Sequence, residues 1–246
     1  MLRSLFKIGV TIYFWSLSTV AVLTSATISA ISYPFVSQKS FARIFESVTC
    51  HIIIYGMGIP GIWNYTIKDS RREKIPLTSD SRYILIANHL SFIDTIVVAL
   101  LPIKKKFMMA RIFSKIPIFG QLCRASGHIM IDKDDKSTTR PAVMLATKAM
   151  EDGCSFMIYP EGKRGKTSSE LLEFKTGAYR LAQDTGVPIL PIALKGVDIA
   201  LPIGGIISPA SIELTIGDPI FVGPDKEDLE EAIKKSRNFM LSVLKN

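Results

Sequence analysis

Apolar positions along the chain follow two different patterns, and the change between them falls near residue 60. The N-terminal part is dominated by long uncharged stretches, whereas the remainder alternates short apolar runs of strand length with segments of helical periodicity. Alternating strands and helices pack as layers around a largely parallel sheet with flanking helices. The pattern therefore predicts a membrane-associated helical hairpin over residues 1–60 and an α/β domain over residues 61–246.

The N-terminal stretch has the length of a membrane segment. Between Lys7 and Lys39 lie 31 uncharged residues, more than the about 20 that cross a bilayer core and the roughly 7–15 of a signal-peptide core. A second uncharged stretch, Ser47–Ile67, suits a helix first and a strand last. A single span with the N-terminal cations inside would put the remainder outside. We favour a pair of helices that leaves the α/β domain on the cytoplasmic face; shallow insertion into one leaflet is equally compatible with the many Ser and Thr residues.

The α/β part divides into elements at its apolar runs and at its Gly and Pro positions. Two prolines in the run Val187–Ala193 indicate an edge strand or one that faces a ligand. Strands are predicted at residues 62–67, 83–87, 106–110, 128–131, 154–159, 189–193 and 212–216, and helices at 92–100, 138–152, 174–183 and 226–244. A further helical piece, broken by Pro117 and Gly120, is predicted after the strand at 106–110.

Composition narrows the classes of function. The 30 Lys and Arg residues exceed the 22 Asp and Glu residues, and the net charge of +8 suits anionic lipid, phosphorylated substrates or nucleic acid. Three cysteines without a C-x-x-C pair argue against a disulfide framework or a structural zinc site and suit a reducing compartment. Because the three histidines show no ligand spacing, we expect no metal.

A histidine and an aspartate five residues apart follow the buried run at 83–87. His89 and Asp94 cannot meet within one continuous helix, because residues five apart point roughly 140° away from each other. We therefore expect His89 in the turn before a helix and Asp94 in an early turn, reaching back. A carboxylate on one ring nitrogen fixes the tautomer and leaves the other nitrogen as a base. The alternative is a capping histidine beside an aspartate favoured by the helix dipole.

A second polar segment follows the run at 154–159. The segment Pro160–Lys166 combines three cations with two glycines, which let backbone N–H groups approach a phosphate while arginine offers a planar fork. A nucleotide-binding P-loop would need glycine at position 160, where proline stands. The candidate substrate-binding residues, each near the end of a predicted strand, are Arg111, Lys133, Glu161, Gly162 and Arg164.

Four blocks of the chain together resemble the glycerolipid acyltransferase family with the HxxxxD motif, and within it the 1-acyl-sn-glycerol-3-phosphate acyltransferases. Asn88–Asp94 resembles the block N-H-x-x-x-x-D, Gly127–Lys133 resembles G-x-x-F-I-D-R, Tyr159–Gly165 resembles F-P-E-G-T-R-S, and Val187–Ala193 resembles V-P-I-x-P-V-A. Order and spacing agree, and the resemblance covers roughly residues 60–220 plus an apolar helix pair. The four departures are Met130 for Phe, Lys133 for Arg, Lys163 for Thr or Ser, and Gly165 for Ser. These departures bear on the identity of the acceptor head group and not on catalysis through His89 and Asp94.

The resemblance implies transfer of a fatty acyl group from acyl-CoA or acyl carrier protein to the sn-2 hydroxyl of 1-acyl-sn-glycerol 3-phosphate, giving phosphatidic acid without a cofactor. In this scheme His89 is the base and Asp94 orients it. The acceptor phosphate would be held by Arg111, Lys133 and Arg164. Glu161 would align Arg164 or the glycerol hydroxyls, beside Gly162. Membrane lipids are the expected partners, and nucleic acid is not.

Two alternatives stay open at this point. In the first alternative the chemistry is the same and the acceptor is glycerol 3-phosphate or another lysolipid. The residues do not distinguish between these acceptors. A non-catalytic basic module that binds anionic membranes or nucleic acid would also explain the charge and the apolar start. It would not explain why His89, Asp94, Glu161 and Arg164 cluster at strand ends.

Overall fold

The computed structural model describes residues 2–32, 34–35, 38–132, 139–167 and 170–245. Its helices are α1 (Leu2–Ser32), α2 (Gln38–Gly58), α3 (Ile93–Ala99), α4 (Phe119–Ala125), α5 (Thr139–Glu151), α6 (Gly177–Thr185), α7 (Val197–Ala200) and α8 (Lys226–Lys245), with a 3₁₀ helix at Arg111–Lys115. Its strands are β1 (Trp63–Asp69), β2 (Ile84–Ala87), β3 (Lys105–Ala110), β4 (Ile129–Ile131), β5 (Ser155–Ile158), β6 (Ile189–Lys195) and β7 (Ala210–Ile216). Among the helices and strands of the described residues, the four-residue α7 is the one without a counterpart in the sequence pattern.

The strands form one seven-stranded sheet in the order β1-β7-β6-β2-β5-β3-β4. Every neighbouring pair is parallel except β6 and β7, so the α/β class with a largely parallel sheet is confirmed. Because sheet side chains alternate between faces, β2 divides its apolar residues between two cores. Leu85 and Ala87 pack on the side of α1, α2 and α3, whereas Ile84 and Ile86 pack on the side of α5, α6 and α8.

The prediction of an edge strand from its two prolines is wrong for β6, which lies between β7 and β2. Pro191 is tolerated there because pairing with β7 begins only at Ile192, opposite Ile216, where β7 ends. Beyond that end, Gly217 donates its N–H to the Pro191 carbonyl at 2.9 Å. The missing N–H of proline therefore falls outside the regular ladder.

The two N-terminal helices pack against each other through small and polar residues. Thr49 donates its hydroxyl to Ser25 Oγ at 2.7 Å, and Tyr13 donates its hydroxyl to the Gly56 carbonyl at 2.7 Å. A Cβ on Gly56 would lie 2.5 Å from Leu17 Cδ2, so glycine sets how closely the helices approach. The expected helix pair is thus present.

The helix pair rests on the sheet and leaves much apolar surface exposed. The rings of Phe14 and Trp63 lie 5.5 Å apart, and the core on this face is continuous between the hairpin and the α/β domain. The segment Ser4–Ser32 is long and apolar enough to cross a membrane, and only 17% of its most apolar 18-residue stretch is buried. Its exposed apolar residues include Leu5, Phe6, Ile8, Ile12, Trp15, Val20, Leu23, Ile28 and Ile31. The division into two domains at residue 60 stays a prediction.

Candidate active site

His89 and Asp94 meet at the carboxyl end of β2, in the geometry expected from their spacing. Asp94 lies in the first turn of α3, and its Oδ2 accepts hydrogen bonds from His89 Nδ1 at 2.8 Å and from the N–H groups of Leu90 and Ser91 at 2.7 and 2.8 Å. The Asp94 side chain is fully buried, whereas that of His89 is 13% exposed. A carboxylate only accepts, so Nδ1 carries a proton and the unprotonated nitrogen is Nε2.

The turn that carries His89 is tied to the strand on its other side. Asn88 is buried, and its amide exchanges two hydrogen bonds with the backbone of Leu194, at 2.9 and 2.8 Å. Ser91 donates its hydroxyl to the Leu201 carbonyl at 2.6 Å. The sequence signal for this anchor is a polar residue at the end of an otherwise apolar strand.

Glu161 joins the His89 turn to the loop that follows β5. Its Oε1 accepts the His89 N–H at 2.9 Å, and its Oε2 accepts the Leu172 N–H at 3.0 Å. The residue is only 2% exposed. Burial raises the pKa of Glu161, and the two backbone hydrogen bonds partly offset that rise. Both carboxylate oxygens are therefore engaged with backbone, which differs from the substrate contact expected from the sequence.

Glu161→Gln is expected to lower the free energy of unfolding by about 1–3 kcal/mol. The amide has nearly the same volume but offers one acceptor oxygen to two backbone N–H groups, so one of them loses its partner. Urea unfolding in detergent measures the change. Glu173→Gln is the control, because Glu173 is an exposed carboxylate in the same stretch of chain. A loss no larger than that of the control would contradict the bridging role.

The pH dependence of stability tests the same variant. The folded-state pKa of Glu161 lies above its ordinary value of 4.5. Between pH 4.5 and that pKa, the native state therefore keeps a proton that the unfolded chain has released. The contribution of this group to the free energy of unfolding is therefore present below 4.5 and decreases as pH rises through that window. Glutamine does not titrate, so Glu161→Gln should remove this decrease.

Tyr159 lies at the end of a predicted strand and is a site residue that the sequence does not single out. Its ring stacks on the His89 ring with centroids 4.0 Å apart and an interplanar angle of 15°. The Tyr159 hydroxyl lies 3.3 Å from Thr95 Oγ1 on α3. Burial and the neighbouring Asp94 raise the pKa of the Tyr159 phenol, so it stays neutral. His89 is thus held at one ring nitrogen by Asp94 and on one face by Tyr159.

A cavity of about 930 Å³ lies beside His89 and extends to the helical hairpin. Its wall is mostly apolar and includes Trp15 and Leu23 of α1 and Ile53 of α2. Three cations also contribute to the wall, namely Lys163, Arg164 and Lys175. The cavity can therefore accept a long apolar group and an anionic group together.

The other candidate binding residues are distributed unevenly around this cavity. Gly162 lines it at a φ of +68°, and a Cβ there would lie 2.9 Å from Lys175 Nζ. Arg111 is exposed and does not contribute to the cavity wall. Lys133 lies outside the described residues. Lys175 was not predicted, since a single lysine just before a helix carries no distinctive pattern.

Within the ranges that the structure covers, no three His, Cys, Asp or Glu side chains lie close enough to hold a metal ion. Cys50, Cys123 and Cys154 are buried and form no disulfide.

Comparisons with known proteins show the family of the chain. Residues 66–195, just over half of the chain, match the family model described as Acyltransferase. A chloroplastic 1-acyl-sn-glycerol-3-phosphate acyltransferase, LPAT1 of Arabidopsis thaliana, is 26% identical over 216 residues, covering 85% of this chain and 58% of the relative. A protein of the same description from Haemophilus influenzae is 32% identical over 114 residues, covering 46% of this chain and 47% of the relative. The chain spans about half the length of the curated relatives it matches.

A solved structure shares the fold. The 1-acyl-sn-glycerophosphate acyltransferase PlsC from Thermotoga maritima superposes with a TM-score of 0.76 at 20% identity, covering 99% of this chain and 96% of that one. The superposition includes the N-terminal helices as well as the sheet, because nearly the whole of both chains is covered.

Proposed function

Because the chain belongs to the acyltransferase family, we propose that it transfers a fatty acyl group from a thioester to the sn-2 hydroxyl of 1-acyl-sn-glycerol 3-phosphate, forming phosphatidic acid. The observation that carries the proposal is the His89–Asp94 pair, 2.8 Å apart, at the edge of a large apolar cavity with a cationic segment in its wall. Acyl-CoA or acyl carrier protein supplies the thioester.

The reaction needs one base and no covalent intermediate on the protein. His89 Nε2 removes the proton of the acceptor hydroxyl while its oxygen attacks the thioester carbon. Asp94, bonded to Nδ1, holds the tautomer and stabilises the imidazolium that forms. When the carbon–sulfur bond breaks, the sulfur leaves as a thiolate, and the imidazolium returns the proton to it. The products are the ester and the free thiol.

Arg164 is the proposed ligand of the acceptor phosphate. Its guanidinium can donate two parallel hydrogen bonds to a phosphate. The residue follows Glu161 and Gly162 in the loop beside His89. Lys133 is retained as a further ligand in this proposal, because Asp132 next to it lines the cavity. Glu161 acts on the reaction by fixing the His89 turn against this loop.

The apolar wall favours a lysolipid over glycerol 3-phosphate as the acceptor. Burial of apolar surface contributes about 25 cal/mol per Å² to the free energy of binding. A water-soluble acceptor has no acyl chain to bury against the apolar wall. The cavity reaches α1, whose length and exposed apolar surface suit membrane lipid. We propose that the α/β domain faces the cytoplasm, a reducing compartment that suits cysteines that form no disulfide.

An acceptor panel tests the proposed function. With palmitoyl-CoA as donor, thiol release should be fast with 1-acyl-sn-glycerol 3-phosphate and slow with glycerol 3-phosphate, monoacylglycerol or no acceptor. Because Arg164 is assigned to the phosphate, Arg164→Ala should raise the KM for 1-acyl-sn-glycerol 3-phosphate toward that for monoacylglycerol. Faster turnover of glycerol 3-phosphate would replace the proposed acceptor. Binding of nucleic acid without any thiol release would favour the non-catalytic alternative.

A further inference from the structure

The stretch between Asp94 and Asp132 carries an unusual balance of charge. It contains no Asp or Glu at all, and its cations are Lys104, Lys105, Lys106, Arg111, Lys115 and Arg124. Lys105 is buried and donates to three backbone carbonyls at the end of α3. Arg111 and Lys115 on the 3₁₀ helix and Arg124 on α4 are the exposed cations of this stretch.

The middle of this stretch exposes isoleucines between those cations. Ile112, Ile116 and Ile118 are 62%, 45% and 38% exposed. Arg111 and Lys115 are exposed as well, and among the described residues neither forms an ion pair. Side chains of this kind, apolar with flanking Lys or Arg, suit the boundary between lipid head groups and acyl chains.

The segment 111–118 is attached to α4 by close contacts. Arg124 donates to the Ser114 carbonyl at 2.7 Å, and a Cβ on Gly120 would lie 2.4 Å from that same oxygen. Ile118 has a φ of 63°, a region that β-branched residues avoid and occupy only where the surroundings hold them. Its carbonyl accepts the Leu122 N–H at 2.9 Å.

The segment also borders the cavity that contains His89. Phe113, Ile116 and Ile118 line that cavity, as do Trp15 and Leu23 on the exposed face of α1. The cavity therefore extends between two surfaces that both expose apolar side chains. We propose that segment 111–118 docks on an anionic bilayer surface and forms, with α1, the entrance through which lipid reaches His89.

This inference assigns Arg111 and Lys115 to lipid head groups rather than to the bound acceptor. It rests on the proposed function only in naming what passes through the entrance, since docking itself requires no turnover. An acidic protein partner is the competing occupant, and it would give no response to vesicles.

Site-specific fluorescence tests docking directly. An environment-sensitive dye on Ile112→Cys in the full chain should shift to the blue with vesicles of phosphatidylcholine and phosphatidylglycerol. The shift should be smaller with phosphatidylcholine alone or at high salt, because the head-group attraction is screened. The same dye on Ile75→Cys, at an isoleucine that is 61% exposed, should not shift. No shift at 112, or equal shifts at both positions, would overturn the proposal.

Kinetics test the entrance. Ile112 and Lys115 do not line the cavity, so Ile112→Ser with Lys115→Ser should raise the KM for a vesicle-borne acceptor by about tenfold and leave turnover of a soluble short-chain acceptor unchanged. The matched control is Ile75→Ser with Lys234→Ser, which removes an exposed isoleucine and an exposed lysine elsewhere. An unchanged vesicle KM would overturn the entrance. Absence of acyl transfer by the wild-type chain would overturn the function and leave the fluorescence result standing.

Discussion

Replacement of His89 by alanine is expected to lower kcat for acyl transfer by at least about 10²–10⁴-fold, the usual contribution of a positioned base. The alcohol of the acceptor is a weak nucleophile until its proton is removed, and His89 is the titratable group that Asp94 orients at this point of the cavity. Steady-state release of free thiol from acyl-CoA measures the loss.

His51→Ala is the matched control for this variant. His51 lies on α2, stacks on Tyr55 and hydrogen-bonds to Ser47, and it does not line the cavity. It should retain nearly wild-type activity. Both variants should keep the far-ultraviolet circular dichroism of the wild type, because neither histidine is a core residue. Normal thiol release by His89→Ala would end its assignment as the base.

Asp94→Asn should reduce kcat by about 10²–10⁴-fold while the acceptor KM changes little. The amide is isosteric, and its oxygen in the place of Oδ2 can still accept from the N–H groups of Leu90 and Ser91 and from His89 Nδ1. The amide carries no negative charge, however, so it no longer stabilises the imidazolium that forms when His89 takes the proton. The result to measure is a fall in kcat without a matching rise in KM.

Asp184→Asn is the control, since Asp184 is an exposed carboxylate on α6. It should leave both constants unchanged. If Asp94→Asn retained activity within about threefold of the wild type, the negative charge of Asp94 would contribute less than about 1 kcal/mol to the barrier, and its proposed role in stabilising the imidazolium would be wrong. An equal rise in KM would instead indicate a damaged binding site.

The fold was predictable because its signals are local. Short apolar runs bounded by Gly and Pro gave strand positions within a few residues, and the long uncharged stretch gave α1. The antiparallel pairing of β6 and β7 was not predictable, because it depends on contacts between distant parts of the chain. Pro191 shows the same limit. A proline usually marks an edge, and here the end of the neighbouring strand removes the penalty.

The site was predictable where chemistry constrains sequence spacing. A separation of five positions between His89 and Asp94 leaves one geometry in which they meet, and the structure adopts it. The contacts of Glu161 and Tyr159 were harder to predict. Whether a carboxylate contacts substrate or backbone, and whether an aromatic ring stacks on an imidazole, depend on how two loops from separate strands approach each other. The parallel pairing of β2 with β5 decides that approach.

The pairing of β1 with β7 has a consequence for biosynthesis. Trp63 stands opposite Ala210, 147 residues later in the chain. At the usual 5–20 residues per second, the ribosome needs roughly 7–30 s to supply the partner of β1. During that interval the emerging hairpin has no completed sheet to rest on, and its apolar side chains have only lipid or a chaperone to cover them. The hairpin therefore needs cover from lipid or a chaperone before the sheet is complete.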